Sequence, residues 1–259
     1  THTHTHTHTH THTHKHTHPQ KNQNQRGILC LKEAELTRHV PQELRCSVRS
    51  IEYFNHDTRK VVMDVPPDAD LSFNAGQYLE IHIPEKKCPF SIASSPHQRD
   101  LIELHIRPTP GSEDSQHIEA ILDNARELTI TIPKGDCYLT SSPPRPLILI
   151  AASTGVTQMK SIVEFILHHG VAQPIALYWG VVADSDLYMN DLCESWAQHD
   201  LVTYIPVVSE PETSPDWTGR TGLVGDAALL RVLAAEDELA QPLAVDPLVA
   251  REQDEAREH

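Results

Sequence analysis

The sequence predicts two folded parts in series, an antiparallel β-barrel followed by a doubly wound parallel α/β sheet, with a disordered segment at each end. Three observations carry this. Between about residues 45 and 132, short runs alternate polar and apolar side chains in the two-residue period of half-buried strands. After residue 146, apolar runs alternate instead with helix-like amphipathic stretches. Between them, Ser141-Ser142-Pro143-Pro144-Arg145-Pro146 is a linker, because successive prolines favour extended backbone and exclude helix. The boundaries that follow are 1–43 for a Thr/His-rich and polar segment, 44–140 for the barrel, 146–230 for the α/β part and 231–259 for an acidic tail.

In the first part, strands are predicted at Arg45 to Ile51, Gln77 to Ile83 and Leu101 to Arg107. A helix follows over Ser115 to Asn124, and Leu128 to Ile132 reads as the last barrel strand before the turn Pro133-Lys134-Gly135. In the second part, Leu147 to Ala152 is continuously apolar, as a parallel strand buried on both faces should be. A helix over Met159 to His168, a strand at Ile175 to Trp179, a helix over Tyr188 to Gln198 and a strand at Val202 to Val208 complete the alternation.

Composition narrows the partners. The chain has 259 residues, and its formal charge of -15 comes from 21 basic against 36 acidic side chains. Such a field repels nucleic acid and anionic membrane, so neither is expected. No apolar run approaches the roughly 18 residues of a membrane helix, and the N-terminus lacks the apolar core of a signal peptide, so a cytoplasmic protein is expected. The 5 cysteines, Cys30, Cys46, Cys88, Cys137 and Cys193, lack metal-ligand spacing and suit reduced thiols; no metal site is expected in the folded parts. Residues 1–18 alternate Thr and His, with Lys15 the one substitution, and have no apolar face to offset the entropy of ordering. Closely spaced imidazoles bind Zn, Cu or Ni, but the same regularity arises when a dinucleotide repeat is translated.

Three segments carry a more specific signal. They are Asn74-Ala75-Gly76-Gln77-Tyr78; Pro89-Phe90-Ser91-Ile92-Ala93-Ser94-Ser95-Pro96, followed by Ile102-Glu103-Leu104-His105-Ile106; and Ile148 to Thr157, with Leu177-Tyr178-Trp179-Gly180 after it. Over residues 45–225 this pattern resembles the ferredoxin reductase superfamily, and within it the NAD(P)H:flavin reductases. The resemblance implies a flavin-binding barrel and a nicotinamide-binding α/β domain. An isoalloxazine ring needs a flat apolar surface and a hydrogen-bonding group near N5, the atom that receives hydride. By resemblance, Pro89 and Phe90 pack against the flavin and Ser91 is the catalytic hydroxyl near N5. Ile92, Ala93 and His105 line the isoalloxazine or ribityl path.

Two departures imply an exchangeable flavin, whether FMN, FAD or riboflavin. Cys88 stands where the superfamily usually has a phosphate-gripping arginine, with Lys86 and Lys87 upstream. The turn Pro110-Gly111-Ser112-Glu113-Asp114-Ser115 carries two acids where relatives that retain FAD grip its pyrophosphate. In the second part, Ser153, Thr154 and Gly155 form a strand-to-helix turn suited to the NAD pyrophosphate, although Ser153 replaces a glycine and Gln158 a common proline. Asp184 and Asp186, with no base beside them, favour NADH over NADPH.

At the ends, the resemblance leads to two further expectations. The last strand and its cysteine-glycine turn over the nicotinamide are not found after Gly222, so the nicotinamide part is expected to be incomplete. Gly27-Ile28-Leu29-Cys30 resembles the end of a ferredoxin module, but one thiolate of four holds no cluster. The function implied is hydride transfer from NADH or NADPH to a flavin that serves a flavin-dependent or oxygenase partner. Alternatives are a reductase component passing electrons to an oxygenase or an iron-sulfur partner, a truncated flavin-binding module without turnover, and a histidine-rich metal binder.

Overall fold

The computed structural model describes residues 39–240, with side chains as far as Leu233. The Thr/His repeat, Cys30 and the acidic segment past residue 240 lie outside the described residues. The first sheet has six antiparallel strands: β1 Gln42–Tyr53, β2 Arg59–Asp64, β3 Tyr78–Ile83, β4 Lys86–Ser91, β5 Leu101–Ile106 and β6 Glu127–Lys134. Their order is β4-β3-β6-β1-β2-β5. Strict alternation sends Leu79, Ile81 and Ile83 of β3, Ile102, Leu104 and Ile106 of β5, and Leu128, Ile130 and Ile132 of β6 into one core. A register shift between Val48 and Ser50 bends the long β1 so that the sheet can curl. Helix α1, Glu113–Asn124, joins β5 to β6 and buries Ile118 and Leu122 against that core.

The curl brings β4 and β5, the two edges, face to face. They form no ladder. Just beyond β4, the Ala93 N–H donates to the Glu103 carbonyl (2.8 Å) and closes one end of the seam. Proline on an edge strand withholds no bond from a further neighbour, which is why Pro89 is tolerated inside β4. Alternation alone does not mark β4, whose first residues are two exposed lysines and whose fourth is that proline; only the resemblance made a strand of the segment from Pro89 on. The sequence pattern also missed β2, where Val61-Val62-Met63 breaks the alternation.

The second sheet is parallel, with β7 Leu147–Ala152, β8 Ile175–Val181, β9 Val202–Val208 and β10 Arg220–Thr221 in the order β10-β9-β8-β7. Helices α2, Val156–His169, and α3, Asn190–Trp196, pack on one face around Leu149, Val163, Leu177, Trp179 and Trp196. Helix α4, Val224–Ala240, covers the other face through Ala227 and Ala228 over Ala176, Tyr178 and Val207. Helices on both faces make the sheet doubly wound. α4 runs unbroken across residue 230, where the sequence pattern placed the start of an acidic tail.

The expected burial of β7 on both faces is not found. Among the described residues β7 is the sheet's edge, and Ile148 and Ile150 on its α4 side are 37% and 46% exposed. The doubly buried strand is β8, in which every side chain but the Gly180 position is buried.

Candidate functional site

Two of the clefts among the described residues border the residues singled out from the sequence. The first, of 210 Å³, lies at the open end of the β4–β5 seam, between Pro89 and Phe90 on one side and Ile106 to Thr109 on the other. Phe90 is half-buried, packing against the barrel core while one side borders the cleft. Ser91 follows at the end of β4, half-buried, and its hydroxyl has no hydrogen-bond partner among the described residues. Ile92 and Ala93 do not line the cleft; both are fully buried behind it, with their N–H groups donating to Gln77 O (3.1 Å) and Glu103 O (2.8 Å). They fix the backbone that follows Phe90 and Ser91. Ser91, next to Phe90 in β4 and so on the opposite side of the strand, is not among the residues that border the cleft; the Phe90 ring offers the cleft a flat apolar surface.

The start of α1 borders the same cleft. Ser112 caps the helix by accepting from the Ser115 N–H (3.3 Å), and Glu113 and Asp114 complement the helix dipole in its first turn. Asp114 is also ion-paired with Lys86, so its repulsion of a phosphate is partly cancelled. Burial, and next the Asp114 charge, push the Cys88 thiol above its ordinary pKa, so it lines the cleft as a neutral group.

The second cleft, of 180 Å³, lies at the carboxyl ends of the parallel strands, bordered by Ser153, Gly180, Ser209, Gly222 and Val224. Open α/β sheets bind nucleotides at this end. Ser153 opens a tight 3₁₀ turn, Ser153–Gly155, with φ +49, the left-handed region that glycine adopts without strain. The Trp179 indole N–H holds the turn by donating to the Ser153 carbonyl (2.9 Å), and the Thr157 hydroxyl donates to Thr154 O (2.6 Å). Gly155 is exposed at the start of α2, with nothing within 4 Å of where a Cβ would stand. At Gly180 a Cβ would meet the Val224 Cβ at 2.5 Å, so only glycine lets α4 seat its first turn against β8. Asp184 does not line this cleft. It is half-buried in the turn beyond β8, where its N–H bonds to the Ser214 hydroxyl (2.9 Å).

Arg107, which sequence reasoning did not single out, borders both clefts. Its Nε–H donates to Asp57 (2.7 Å), and its Nη groups reach Ser153 Oγ (3.2 Å) and Asp186 (3.5 Å). The available signal was the odd–even order of Leu101 to Arg107, which puts Glu103, His105 and Arg107 on the outer face of β5.

His105 is therefore apart from both clefts. Its side chain is fully buried between the barrel and the α/β part, with Nε2 2.7 Å from Glu103 Oε1, Nδ1 3.1 Å from the Tyr188 hydroxyl, and its ring edge-on to Phe54. Lys160 of α2 completes the cluster, 3.6 Å from Glu103 and 3.0 Å from Glu164. Burial opposes a charge on Glu103, but the His105 hydrogen bond and Lys160 outweigh it and hold the carboxyl down to about 2. Burial dominates at His105 and lowers its pKa in spite of Glu103, leaving a neutral ring. Nε2 then carries the proton toward the carboxylate, and Nδ1 accepts from Tyr188. Nearby, the Ser161 hydroxyl donates to Ser94 O (2.8 Å) and Gln158 to Gly76 O (2.8 Å), locking α2 onto the barrel.

Comparison with known proteins agrees with this geometry. The oxidoreductase FAD-binding domain model matches residues 45–138, and the oxidoreductase NAD-binding domain model matches residues 149–244. The chain is 36% identical over 191 residues to an NAD(P)H-flavin reductase of Aliivibrio fischeri, covering 71% of this chain and 79% of that one. It is 35% identical over 189 residues to an NAD(P)H-flavin reductase of Vibrio harveyi, covering 70% and 78%. Among solved structures, the Amycolatopsis cytochrome P450 reductase GcoB superposes with a TM-score of 0.65 at 28% identity, over 75% of this chain but only 59% of its own length. The chain belongs to the flavin reductase family of ferredoxin reductase-like oxidoreductases, with an FAD-binding domain followed by an NAD-binding domain.

Proposed function

We propose that the protein is an NAD(P)H-dependent flavin reductase that moves hydride from NADH to an exchangeable flavin in the β4–β5 cleft. The observation that carries this is the contiguity of the two clefts, which share Arg107 as a common wall. Ligands held in them are neighbours, and hydride transfer needs reacting atoms about 3–3.5 Å apart. A bound flavin supplies the hydride acceptor at its N5 edge. Phe90 and Pro89 pack against the ring, and the free Ser91 hydroxyl offers the hydrogen bond near N5. Ser153, Thr154 and Gly155 hold the dinucleotide pyrophosphate, and Asp184 disfavours a 2'-phosphate from beyond β8. Residues 44–140 form the flavin part, and the nucleotide part runs from residue 146 to the end of α4.

Flavin exchange follows from the chemistry of the first cleft. A neutral thiol at Cys88 and an acid at Asp114 replace the cationic grip that retains a phosphate-bearing flavin, so FMN, FAD and riboflavin come and go as substrates. The reduced flavin is handed to a flavin-dependent or oxygenase partner. Free thiols at Cys46, Cys88, Cys137 and Cys193 suit the reducing cytoplasm. Among the described residues no helix is long and apolar enough to cross a membrane.

The test is NADH consumption by the purified full chain in air, with and without added FMN. Consumption should depend on added flavin, and the protein should leave gel filtration nearly colourless. Turnover without added flavin by a yellow protein would place it instead with reductases that retain FAD.

A further inference from the structure

A third cavity, of 480 Å³, lies at the joint between the barrel and the α/β part, and it has more than twice the volume of either cleft. It shares no lining residue with them. Phe54, Lys60 and Glu103 line it from the barrel, and Lys160 and Glu164 of α2 line it from the α/β part. Phe54, Leu187, Met189 and Leu192 form an apolar side. The charged groups on the wall are not evenly paired.

Lys160 is fully engaged. Its ammonium donates to Glu164 Oε2 (3.0 Å) and Ala93 O (3.5 Å) and lies 3.6 Å from Glu103 Oε1. Glu103 Oε1 also accepts from His105 Nε2 (2.7 Å), so the contacts of both carboxylates fall on one oxygen of each. Glu103 Oε2 and Glu164 Oε1 have no partner among the described residues. There, the only buried side-chain polar atom both sealed off and unbonded is Ser95 Oγ, so these two oxygens are open, on side chains that line the cavity. Burial, and the Glu103 charge after it, raise the Glu164 pKa in spite of Lys160. One ammonium does not neutralise two carboxylates in this space.

Lys60 is the converse case, a cation with no hydrogen bond or ion pair among the described residues. It stands opposite His105 in the β2–β5 register, which makes Glu103 its diagonal neighbour on the outer face. Diagonal neighbours are about 7–8 Å apart, room for a small polar group between ammonium and carboxylate. Asp191, exposed at the rim, is also unpaired.

We infer that this cavity is a binding site for a small zwitterion on an apolar body, a free α-amino acid with an aromatic or aliphatic side chain. Glu103 Oε2 and Glu164 Oε1 receive its ammonium, Lys60 receives its carboxylate, and its side chain lies against Phe54, Leu187, Met189 and Leu192. A purely cationic ligand would leave Lys60 as an unrelieved like charge, and an anionic one would meet three carboxylates. Because the wall comes from both parts, an occupant ties the barrel to the α/β sheet and stabilises the folded chain by mass action. The inference is independent of the flavin and dinucleotide readings.

The test is isothermal titration of the full-length protein with three probes that share a phenyl body. L-phenylalanine carries both charges, phenethylamine the ammonium alone and 3-phenylpropionate the carboxylate alone. L-phenylalanine should bind about tenfold or more tighter than either, the worth of one charge-assisted contact, and should raise the melting temperature. Lys60→Gln should weaken L-phenylalanine about tenfold and leave phenethylamine no weaker, whereas Glu164→Gln should weaken both. Saturating FMN should leave the L-phenylalanine affinity unchanged. Either single-charge probe binding as tightly as L-phenylalanine would overturn the zwitterion assignment, as would wild-type affinity in Lys60→Gln. Competition by FMN would move the probe to the flavin cleft and overturn it too. Wild-type protein that gives neither heat nor a melting shift with L-phenylalanine or L-leucine at about 10 mM would overturn the site itself.

Discussion

Ser91 and Cys88 stand three positions apart near the same cleft, and each carries a separate prediction. The Ser91 hydroxyl has no hydrogen-bond partner among the described residues, so its removal should leave the fold intact and act on the ligand. Ser91→Ala should lower the rate of flavin reduction about tenfold or more while changing flavin KM less, because the hydroxyl's role grows as charge shifts in the transition state. Rapid-mixing reduction of FMN by NADH would show this, and an unchanged rate would remove Ser91 from the reaction. Cys88→Arg should tighten FMN about tenfold and leave riboflavin, which has no phosphate, near its wild-type affinity. Equal tightening of both would show that the new side chain acts by packing instead. A third residue-scale prediction concerns His105. Burial lowers its pKa below 6.5, so just below that pH the unfolded chain binds more protons than the folded one. The stability from a neutral His105 is complete above pH 6.5 and is lost as the pH falls through the folded value; the corresponding loss from Glu103 begins only below 4.5 and extends toward 2. Thermal melts from pH 7 to pH 5 should therefore slope downward, and His105→Gln should flatten the slope, leaving the part due to His97, which burial and His168 also depress. The same slope in both proteins would contradict the buried neutral ring. Pro89, Phe90 and Ser91 were proposed from the sequence because they are contiguous. Arg107 was not, since its partners Asp57, Ser153 and Asp186 lie 50, 46 and 79 residues away.

At the scale of elements, pattern served best where burial is one-sided. β7 and β9 have the bounds that the sequence implies, and α1 and α2 differ from it by two or three residues at their starts. The alternation of β5 was visible, but its parity was not used; it already separated His105 from the inward side chains Leu104 and Ile106. The start of β4 escaped because an edge strand tolerates exposed lysines and proline, the residues that ordinarily argue against a strand. The exposed face of β7 escaped because an apolar run reads the same whether one face is covered or two. Gly180 tests how the α/β elements are joined. Gly180→Ala forces a Cβ onto the Val224 side chain and should destabilise the fold by roughly 1–3 kcal/mol, with Val224→Ala in the same chain restoring much of the loss. Chemical denaturation of the two variants measures this; an unaffected single variant would mean that α4 is not seated on β8 as described.

On the scale of the whole molecule, the barrel and the α/β sheet matter through the seam between them. The Glu103–His105–Lys160 cluster, the Ser161–Ser94 bond and the Gln158–Gly76 bond fix α2 against the barrel, so the two clefts have one relative position. None of these long-range pairs is visible along the chain, whereas the order of the two parts was. With acids beyond β8, kcat/KM should favour NADH over NADPH, and Asp184→Arg should narrow the gap about tenfold; equal efficiencies in the parent protein would free Asp184 of any such role. The most direct test of hydride transfer between the clefts is anaerobic mixing of the protein with FMN and with NADH deuterated at the transferred C4 position, following the visible absorbance of the flavin. Flavin bleaching in step with NADH consumption, and slower with deuterium than with hydrogen, is the predicted result; FMN that stays yellow beside unconsumed NADH would contradict it.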